Sequence, residues 1–324
     1  MPSGAVHTDL SVVVPVYKEE SNIRPFLARL LPVLERISPR YEVLFCLDPS
    51  PDRTEDVLRD ERSRNDRIKL VLFSRRFGQP AATMAGIRLS SGAACVVIDV
   101  DLQDPPELVA DLYARMQEGF DVVYAKRRSR QGDAPAKRLV AWTAYRVIDR
   151  LSDVRIPHDT GDFRIMSRRV CDQLNRLHEG HGFLRGLVAY VGFRQTFVEY
   201  DRDPRYTGSG KYNRFTGSAR IALNGIVAFG SRPLQLLSVS GAILAAVSLL
   251  LGGWSAAAGR LGVASPAMPA MALLVMFFAG VQLLALGLLG EYVGRIYDEV
   301  KRRPPYIIDR TEGLDDERHD RHGS

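Results

Sequence analysis

The sequence predicts an α/β fold in which a mostly parallel sheet is followed by helices that lie on a membrane and cross it. Two observations carry this prediction. Up to residue 127, β-branched apolar runs alternate with segments whose apolar residues recur at helical spacing. After residue 233, two long stretches contain no ionisable residue.

Five strands are predicted, each of them apolar on both faces. They are "LSVVVPVY" at 10–17, "YEVLFCLD" at 41–48, "IKLVLFS" at 68–74, "AACVVIDVD" at 93–101 and "FDVVYAKR", which ends at residue 127. Strands of this kind are typical of a parallel sheet that is covered by helices on both sides.

Helices are predicted between these strands. The segment "SNIRPFLARLLPVLERI" has apolar residues at helical spacing, and Ser21 is the predicted N-cap. A charged helix is expected near 54–64, and "AATMAGIRLS" predicts another. The alternation of strand and helix predicts that ligands bind at the carboxyl ends of the strands.

Two membrane spans are predicted, at about 234–258 and 267–290, within a transmembrane hairpin at 233–292. Basic residues flank the pair, and only Arg260 carries charge in the connecting loop. The positive-inside rule therefore places the α/β domain (1–212) and both termini in the cytoplasm, on a multi-pass protein of the inner (plasma) membrane. The alternative is a buried helical hairpin in a soluble domain.

The segments beside the hairpin are also assigned. Residues 213–232 mix apolar with basic residues, which predicts an amphipathic helix that lies on the membrane or packs on the sheet. The segment 293–324 is expected in the cytoplasm, and its polar end, from Arg310 onward, is expected to be disordered.

The formal net charge of +6 indicates an anionic partner. Nucleic acid is the least favoured of the anionic partners, because no element interleaves basic and aromatic residues, and no nucleic-acid partner is expected. A membrane surface and a phosphorylated substrate remain. The three cysteines show no metal-binding spacing, and reduced buried thiols are expected.

Acidic side chains follow two of the predicted strands. Asp48 ends the second strand, and Asp99 and Asp101 end the fourth. Separated by one residue on an extended strand, Asp99 and Asp101 would direct both carboxylates to the same side. Mg²⁺ binds one or two such carboxylates together with substrate phosphates. The sequence thus predicts a divalent metal and diphosphate site, with solvated loop residues as the alternative.

Five motifs then support a resemblance. They are "VVVPVYKEESNI", "VIDVDLQDPPE", "DTGDFRIMSRR", "RYTGSGKY" and "LLGEYVGRIYDEVKRRPPYII". Together they resemble the family-2 glycosyltransferases that transfer a sugar to polyprenyl phosphate, in the two-span bacterial type related to the GtrB, ArnC and dolichyl-phosphate mannose synthase proteins. The resemblance implies a GT-A fold, a nucleoside-diphosphate sugar donor, Mg²⁺ or Mn²⁺, inversion at the anomeric carbon, and a product used in cell-envelope glycan assembly.

The resemblance also implies a donor site. Pro15, Tyr17, Glu19, Asp48 and Asp99 match nucleotide-binding positions, and Asp101, Asp99 and Gln103 match the metal-binding positions. The family's usual "DDGSTD" turn is "LDPSPD" here, so Leu47 stands where an aspartate often reads the base. The resemblance favours a uridine nucleotide and leaves guanosine open.

On the acceptor side, Asp162 matches the residue suspected of acting on the acceptor, and it is assigned as catalytic together with Asp101. Arg127, Arg164, Arg205 and Lys211 are assigned to phosphate groups. The usual "GESKY" is "GSGKY", which leaves Lys211 on a more flexible loop. Three alternatives stay open: Asp162 as a base or a positioner, Asp162 as the N-cap of a helix, and the basic residues as membrane-surface charges.

The sequence argues against three rival functions. A polysaccharide synthase would carry a QxxRW-type motif before its spans, and a sugar-nucleotide pyrophosphorylase would carry a glycine-rich loop after its first strand. Neither motif is present. A degenerate transferase acting as a scaffold is disfavoured because the acidic pair, Asp162 and Lys211 are all retained. Oligomeric state is left open, with a homo-oligomer as one option.

Overall fold

The computed structural model describes residues 8–128, 160–177, 184–201 and 267–314, with seven further single positions between 234 and 250. The described residues fall into two compact units. One holds the first three ranges and 304–314, and the other holds 267–303. The predicted helix at 213–232, Arg205 and Lys211 lie outside the described residues.

The first unit is built around an eight-stranded sheet with the order β7-β5-β6-β4-β1-β2-β3-β8. The strands are β1 (Leu10–Val16), β2 (Tyr41–Leu47), β3 (Ile68–Phe73), β4 (Ala94–Val97), β5 (Val122–Arg127), β6 (Thr160–Ser167), β7 (Gln195–Tyr200) and β8 (Ile308–Glu312). The β1, β2 and β4 residues are all buried, as their apolar runs predict.

Six of these eight strands run in one direction. Strands β1 to β4 pair in parallel, and β5 pairs in parallel with β7. Strand β6 lies between β4 and β5 and is antiparallel to both, so β4 and β5 share a direction. Strand β8 is antiparallel to β3. The α/β, mostly parallel architecture is therefore confirmed, with two reversed strands that the sequence did not predict.

Six helices are described in this unit. They are α1 (Ile23–Ile37), α2 (Thr54–Arg64), α3 (Gln79–Leu89), α4 (Leu108–Gln117), α5 (Arg168–Arg176) and α6 (Leu184–Val191). Helix α1 buries Ile23, Phe26, Leu30 and Leu34, the apolar face that its spacing predicts. The predicted Ser21 cap is wrong, because the N-cap is Asn22, whose side chain donates to Glu19 instead.

Three predicted boundaries need correction. Strand β4 ends at Val97, four residues before Asp101, because its ladder with β1 stops there. The segment "FRIMS" is part of β6, and the helix begins only at Arg168, so Asp162 is not a helix N-cap. The polar end was expected to be disordered from Arg310, yet residues 310–312 pair with β3 in β8.

The second unit contains the 34-residue helix α7 (Ala267–Val300). Its segment Phe277–Val300 is long and apolar enough to cross a membrane and is the one such helix found among the described residues. Exposed apolar side chains, including Phe277, Leu283 and Leu286, lie along it. Too little of the predicted first span is described to show a second crossing helix.

Candidate active site

Among the described residues, the polar side chains singled out in the sequence follow or begin strands whose ends share one edge of the sheet. From β1 the chain continues to β2 on one side, while β4 pairs with β1 on the other, so the strand order reverses between β1 and β4. Ligands of open α/β sheets bind at such a switch point, beyond the carboxyl ends of the strands. The ends of β1, β4, β5 and β7 and the start of the reversed β6 share this edge.

Pro15 marks the opening between β1 and β4. The carbonyl of Val13 accepts the N–H of Ile98 on the β4 side, and the ladder ends at the Val13–Val97 pair. Residues two apart in a parallel strand direct their backbone groups to the same neighbour. The backbone of Pro15 is therefore directed to the β4 side, beyond the end of β4. No strand pairs with it there, so a proline, which has no N–H, costs no hydrogen bond of the sheet.

The acidic loop after β4 presents three of the predicted residues to this opening. Although the ladder has ended, burial still alternates: Ile98, Val100 and Leu102 are buried, whereas Asp99, Asp101 and Gln103 are half-buried. Oδ1 of Asp99 accepts a 2.7 Å hydrogen bond from the side-chain amide of Gln79, and Oδ1 of Asp101 accepts the N–H of Gln103 at 3.2 Å. The extended strand on which the shared direction of the two carboxylates was predicted therefore ends before Asp99, and both residues lie in the loop that follows it.

These side chains fit a hard divalent cation. Their donor atoms are carboxylate and amide oxygens, which Mg²⁺ and Mn²⁺ prefer. Among the described residues, no group of three or more His, Cys, Asp or Glu side chains is arranged to enclose a metal. A pair of carboxylates that binds the ion jointly with substrate phosphates needs no such group.

At the end of β1, Tyr17 and Glu19 lie beside the same opening. The guanidinium carbon of Arg76 is 4.0 Å from the centroid of the Tyr17 ring, a cation–π contact. The N–H of Glu19 donates to Oγ1 of Thr54, and its carboxylate accepts from Asn22. Glu19 thus joins the β1 end to the helices α1 and α2.

Asp48 shapes a neighbouring loop. It is buried, with Oδ1 accepting the N–H of Phe77 at 2.9 Å and Oδ2 that of Gly78 at 2.8 Å. The same loop carries Arg76, which contacts Tyr17, and leads into Gln79, which contacts Asp99. Asp48 therefore fixes the backbone of a segment that touches both sides of the predicted donor site.

Asp162 lies in β6 among arginines. Its Oδ1 accepts a hydrogen bond from Nε of Arg185 at 2.9 Å and lies 3.5 Å from Nη2 of Arg164. Burial alone would raise the pKa of Asp162, but the charges of Arg185, Arg164 and Arg127 outweigh it and lower the pKa below its usual value. The carboxylate is ionised at neutral pH and is a weak base.

Arg164 binds the backbone beside this carboxylate. It is fully buried, and it donates to the carbonyl oxygens of Gly161 and Asp162 at 2.9 and 3.1 Å. Its guanidinium carbon lies 5.1 Å from the centroid of the Tyr124 ring. Arg164 has no exposed surface, and its contact with the acceptor phosphate stays a prediction.

Arg127, at the end of β5, does reach the edge. About one third of its side chain is exposed (31%), and it lies near Asp104 and Tyr200. Arg185 is similarly exposed (34%). The sequence did not single out Arg185, Arg76 or Gln79. The only signal for Arg185 was its place in an apolar helix, "LRGLVAYV", where one arginine in the first turn interrupts the apolar pattern.

Residues 11–174 match the family model described as Glycosyl transferase family 2. The chain is 42% identical over 308 residues to an uncharacterized glycosyltransferase of Synechocystis sp., covering 95% of this chain and 96% of the relative. It is 37% identical over 304 residues to the bactoprenol glucosyl transferase of Shigella phage SfII, covering 93% of this chain and 98% of the relative. More distantly, the solved structure of glucosyl-3-phosphoglycerate synthase from Mycobacterium tuberculosis aligns with a TM-score of 0.46 and 19% identity, over 70% of this chain and 83% of that chain.

Proposed function

Because the chain belongs to glycosyl transferase family 2 and is a glycosyltransferase, we propose that it transfers glucose from a nucleoside-diphosphate glucose to a polyprenyl phosphate. UDP-glucose is the donor proposed first. A phosphate oxygen of the acceptor forms a bond to C1 of the sugar while the bond from C1 to the donor diphosphate breaks. The products are a nucleoside diphosphate and a polyprenyl-phosphate glucose of inverted configuration.

One observation carries this proposal: two regions of opposite charge meet at one sheet edge. Asp99 and Asp101 lie after β4, and Asp162, with Arg164 and Arg185 beside it, lies at the start of β6, the next strand. An acidic region suits a metal with a donor diphosphate, and a basic region suits the phosphate of an acceptor. A transferase between two phosphate-bearing substrates needs both.

On the donor side, Asp101 and Asp99, with Gln103, would hold Mg²⁺ or Mn²⁺. The ion would supply positive charge to the leaving diphosphate. Tyr17, Glu19 and the loop held by Asp48 form the nucleotide end of the crevice, and Pro15 leaves the gap into which the donor enters.

On the acceptor side, Arg127 and Arg185 bind the lipid phosphate, and Asp162 orients Arg185. A phosphate monoester has a second pKa of about 6, so it is mostly dianionic at neutral pH and needs no proton removed. This agrees with the low basicity of Asp162. Arg205 and Lys211 remain proposed phosphate contacts that lie outside the described residues.

The acceptor also requires a membrane. Helix α7 supplies one candidate span, and Arg295, Lys301, Arg302 and Arg303 follow the apolar part of it. By the positive-inside rule these residues are cytoplasmic. We assign the catalytic unit to the cytoplasmic face of the cell membrane, where nucleotide sugars are made.

A donor screen tests the proposal. Purified protein in detergent receives polyprenyl phosphate, Mg²⁺ or Mn²⁺, and a panel of UDP- and GDP-sugars, and lipid products are followed by mass spectrometry. A single glucosyl phospholipid, absent with Asp101→Ala, is the expected result. Nucleoside diphosphate release without a lipid product would assign another acceptor. If folded protein forms no lipid product and releases no nucleoside diphosphate with any donor of the panel, the scaffold function would be favoured.

A further inference from the structure

Asp104 is the third aspartate of the loop after β4. It is buried, with 2% of its surface exposed, whereas Asp99, Asp101 and Gln103 are half-buried. Its Oδ1 accepts a short hydrogen bond from the hydroxyl of Tyr200, the last residue of β7. Because β5 and β6 lie between β7 and β4 in the sheet, this contact passes across the ends of two strands.

Arg127 lies where this contact crosses the end of β5. Its Nε is 3.4 Å from the Tyr200 hydroxyl, and its Nη2 is 3.8 Å from Oδ1 of Asp104. The guanidinium also covers Gly161, because a Cβ built on Gly161 would lie 3.2 Å from Nη2 of Arg127. A side chain larger than hydrogen at position 161 would compete with the guanidinium for this space.

The charge of Arg127 acts on both halves of the site. Burial lowers the pKa of its guanidinium, but the hydrogen bond to Tyr200 and the charges of Asp104 and Asp99 outweigh burial and raise it. The same guanidinium contributes to the lowered pKa of Asp162. Burial and Asp104 raise the pKa of Tyr200 to about 12, so its hydroxyl stays protonated and can donate to Asp104.

We propose that Asp104 and Tyr200 are positioning residues that hold the Arg127 guanidinium between the donor carboxylates and Asp162, where it binds the phosphate of the prenyl acceptor. We call these two residues the Arg127 bracket. A flexible arginine loses side-chain freedom when it binds a phosphate. The bracket removes that freedom in advance, so that less binding energy is lost on ordering the side chain. This inference rests on the proposed function, in which Arg127 meets the acceptor.

The alternative is that Asp104 and Tyr200 form an ordinary buried hydrogen bond that only stabilises the fold. A double-mutant cycle separates the two roles. The four proteins are the wild type, Tyr200→Phe, Arg127→Ala and the double variant, each assayed for the KM of polyprenyl phosphate, the KM of the sugar nucleotide and kcat. Tyr41→Phe is the control, since Tyr41 is another buried tyrosine, located at the start of β2 and at the opposite edge of the sheet.

In the wild-type background, Tyr200→Phe should raise the KM for polyprenyl phosphate about tenfold, the usual effect of losing a hydrogen bond to a charged group, with the sugar-nucleotide KM unchanged. In the Arg127→Ala background, Tyr200→Phe should change the KM for polyprenyl phosphate by less than about twofold, because the guanidinium that Tyr200 positions is absent. Asp104→Asn keeps an acceptor for Tyr200 and removes the charge near Arg127. It should reproduce part of the effect and serves as the second variant if Tyr200→Phe fails to fold.

Equal losses in both backgrounds, or a rise in the sugar-nucleotide KM instead, would overturn the proposal. The same four proteins are also compared without catalysis, by measuring the dissociation constant of farnesyl phosphate, a soluble prenyl phosphate. Suppose that the two substitutions are coupled in the dissociation constant of farnesyl phosphate, but the wild type makes no lipid product. The proposed function would then be rejected and the Arg127 bracket retained. If the wild type makes the lipid product but the effects of the two substitutions are additive, the bracket would be rejected and the proposed function retained.

Discussion

The Nε of Arg185 donates a 2.9 Å hydrogen bond to Oδ1 of Asp162, joining helix α6 to strand β6 across 23 positions of the chain. Arg164, fully buried, approaches the same oxygen. Two guanidinium groups on one carboxylate leave a net positive charge at the start of β6. A group in this setting is suited to holding an arginine in place and poorly suited to taking up a proton.

Asp162→Asn should therefore keep measurable activity, with the largest retained fraction at high pH. The acceptor phosphate is dianionic above its second pKa of about 6 and needs no base. The measurement is the pH profile of kcat/KM for both proteins. Complete loss of activity at every pH, with acceptor binding intact, would assign Asp162 as a base.

The same residue predicts a pH-dependent stability difference. The folded-state pKa of Asp162 is lowered, so its contribution to stability is complete above the unfolded pKa of about 3.9 and is lost as pH falls through the folded value. The gap in melting temperature between wild type and Asp162→Asn should shrink as pH falls from about 5 to about 3. A gap that widens in this range would contradict the lowered pKa.

Arg185→Gln should raise the KM for polyprenyl phosphate about tenfold and leave that of the sugar nucleotide unchanged, since a charge-assisted bond to phosphate is lost. Arg185→Lys should recover part of the loss, because lysine keeps the charge without the planar fork. Arg176→Gln, an exposed arginine at the end of α5, is the matched control. An equal effect from the control would indicate a general loss of surface charge.

Asp101→Asn should abolish Mn²⁺ binding in the presence of nucleoside diphosphate and lower activity at least about 100-fold, because one of two carboxylate ligands is neutralised. Isothermal titration with Mn²⁺ measures the first effect directly. Asp111→Asn, an exposed aspartate on α4, should behave like the wild type. Unchanged Mn²⁺ affinity in Asp101→Asn would remove Asp101 from the metal site.

Asp48→Ala should free the loop around Phe77 and Gly78, whose backbone N–H groups lose their acceptors. We expect a loss of about 2 kcal/mol in unfolding free energy and a higher KM for the sugar nucleotide. Hydrogen exchange should accelerate at residues 77 and 78. Protection that persists there would show that other contacts hold the loop.

Much of this architecture was predictable because local patterns determined it. Strands β1 to β5 are apolar runs bounded by turns, and α1 and α2 follow from spacing and charge. The position of Asp99 and Asp101 just beyond an apolar strand was also readable from the local sequence, although the strand itself ends sooner than predicted. Each of these features depends on residues close together in sequence.

What could not be predicted depends on contacts distant in sequence. Strand β6 runs backwards between β4 and β5, which nothing in "TGDFRIMS" indicates, and that reversal is what brings Asp162 to the carboxyl edge. The full burial of Arg164 was not predicted, because an arginine is seldom fully buried and its hydrogen-bonding partners here are carbonyl groups that become available only in the folded strand. The Asp104–Tyr200 contact spans 96 positions and leaves no local signature.

Strand β8 has a consequence for how the protein is made. It pairs with β3, yet 234 positions separate the end of β3 from its partner at Ile308, and helix α7 lies between them. During synthesis β8 cannot pair with β3 until α7 has left the ribosome. An unpaired strand edge attracts other chains. The pairing of β8, which completes the sheet, therefore comes after the candidate membrane span has been synthesised. Until then the edge of β3 lacks the partner strand that would protect it from association with other chains.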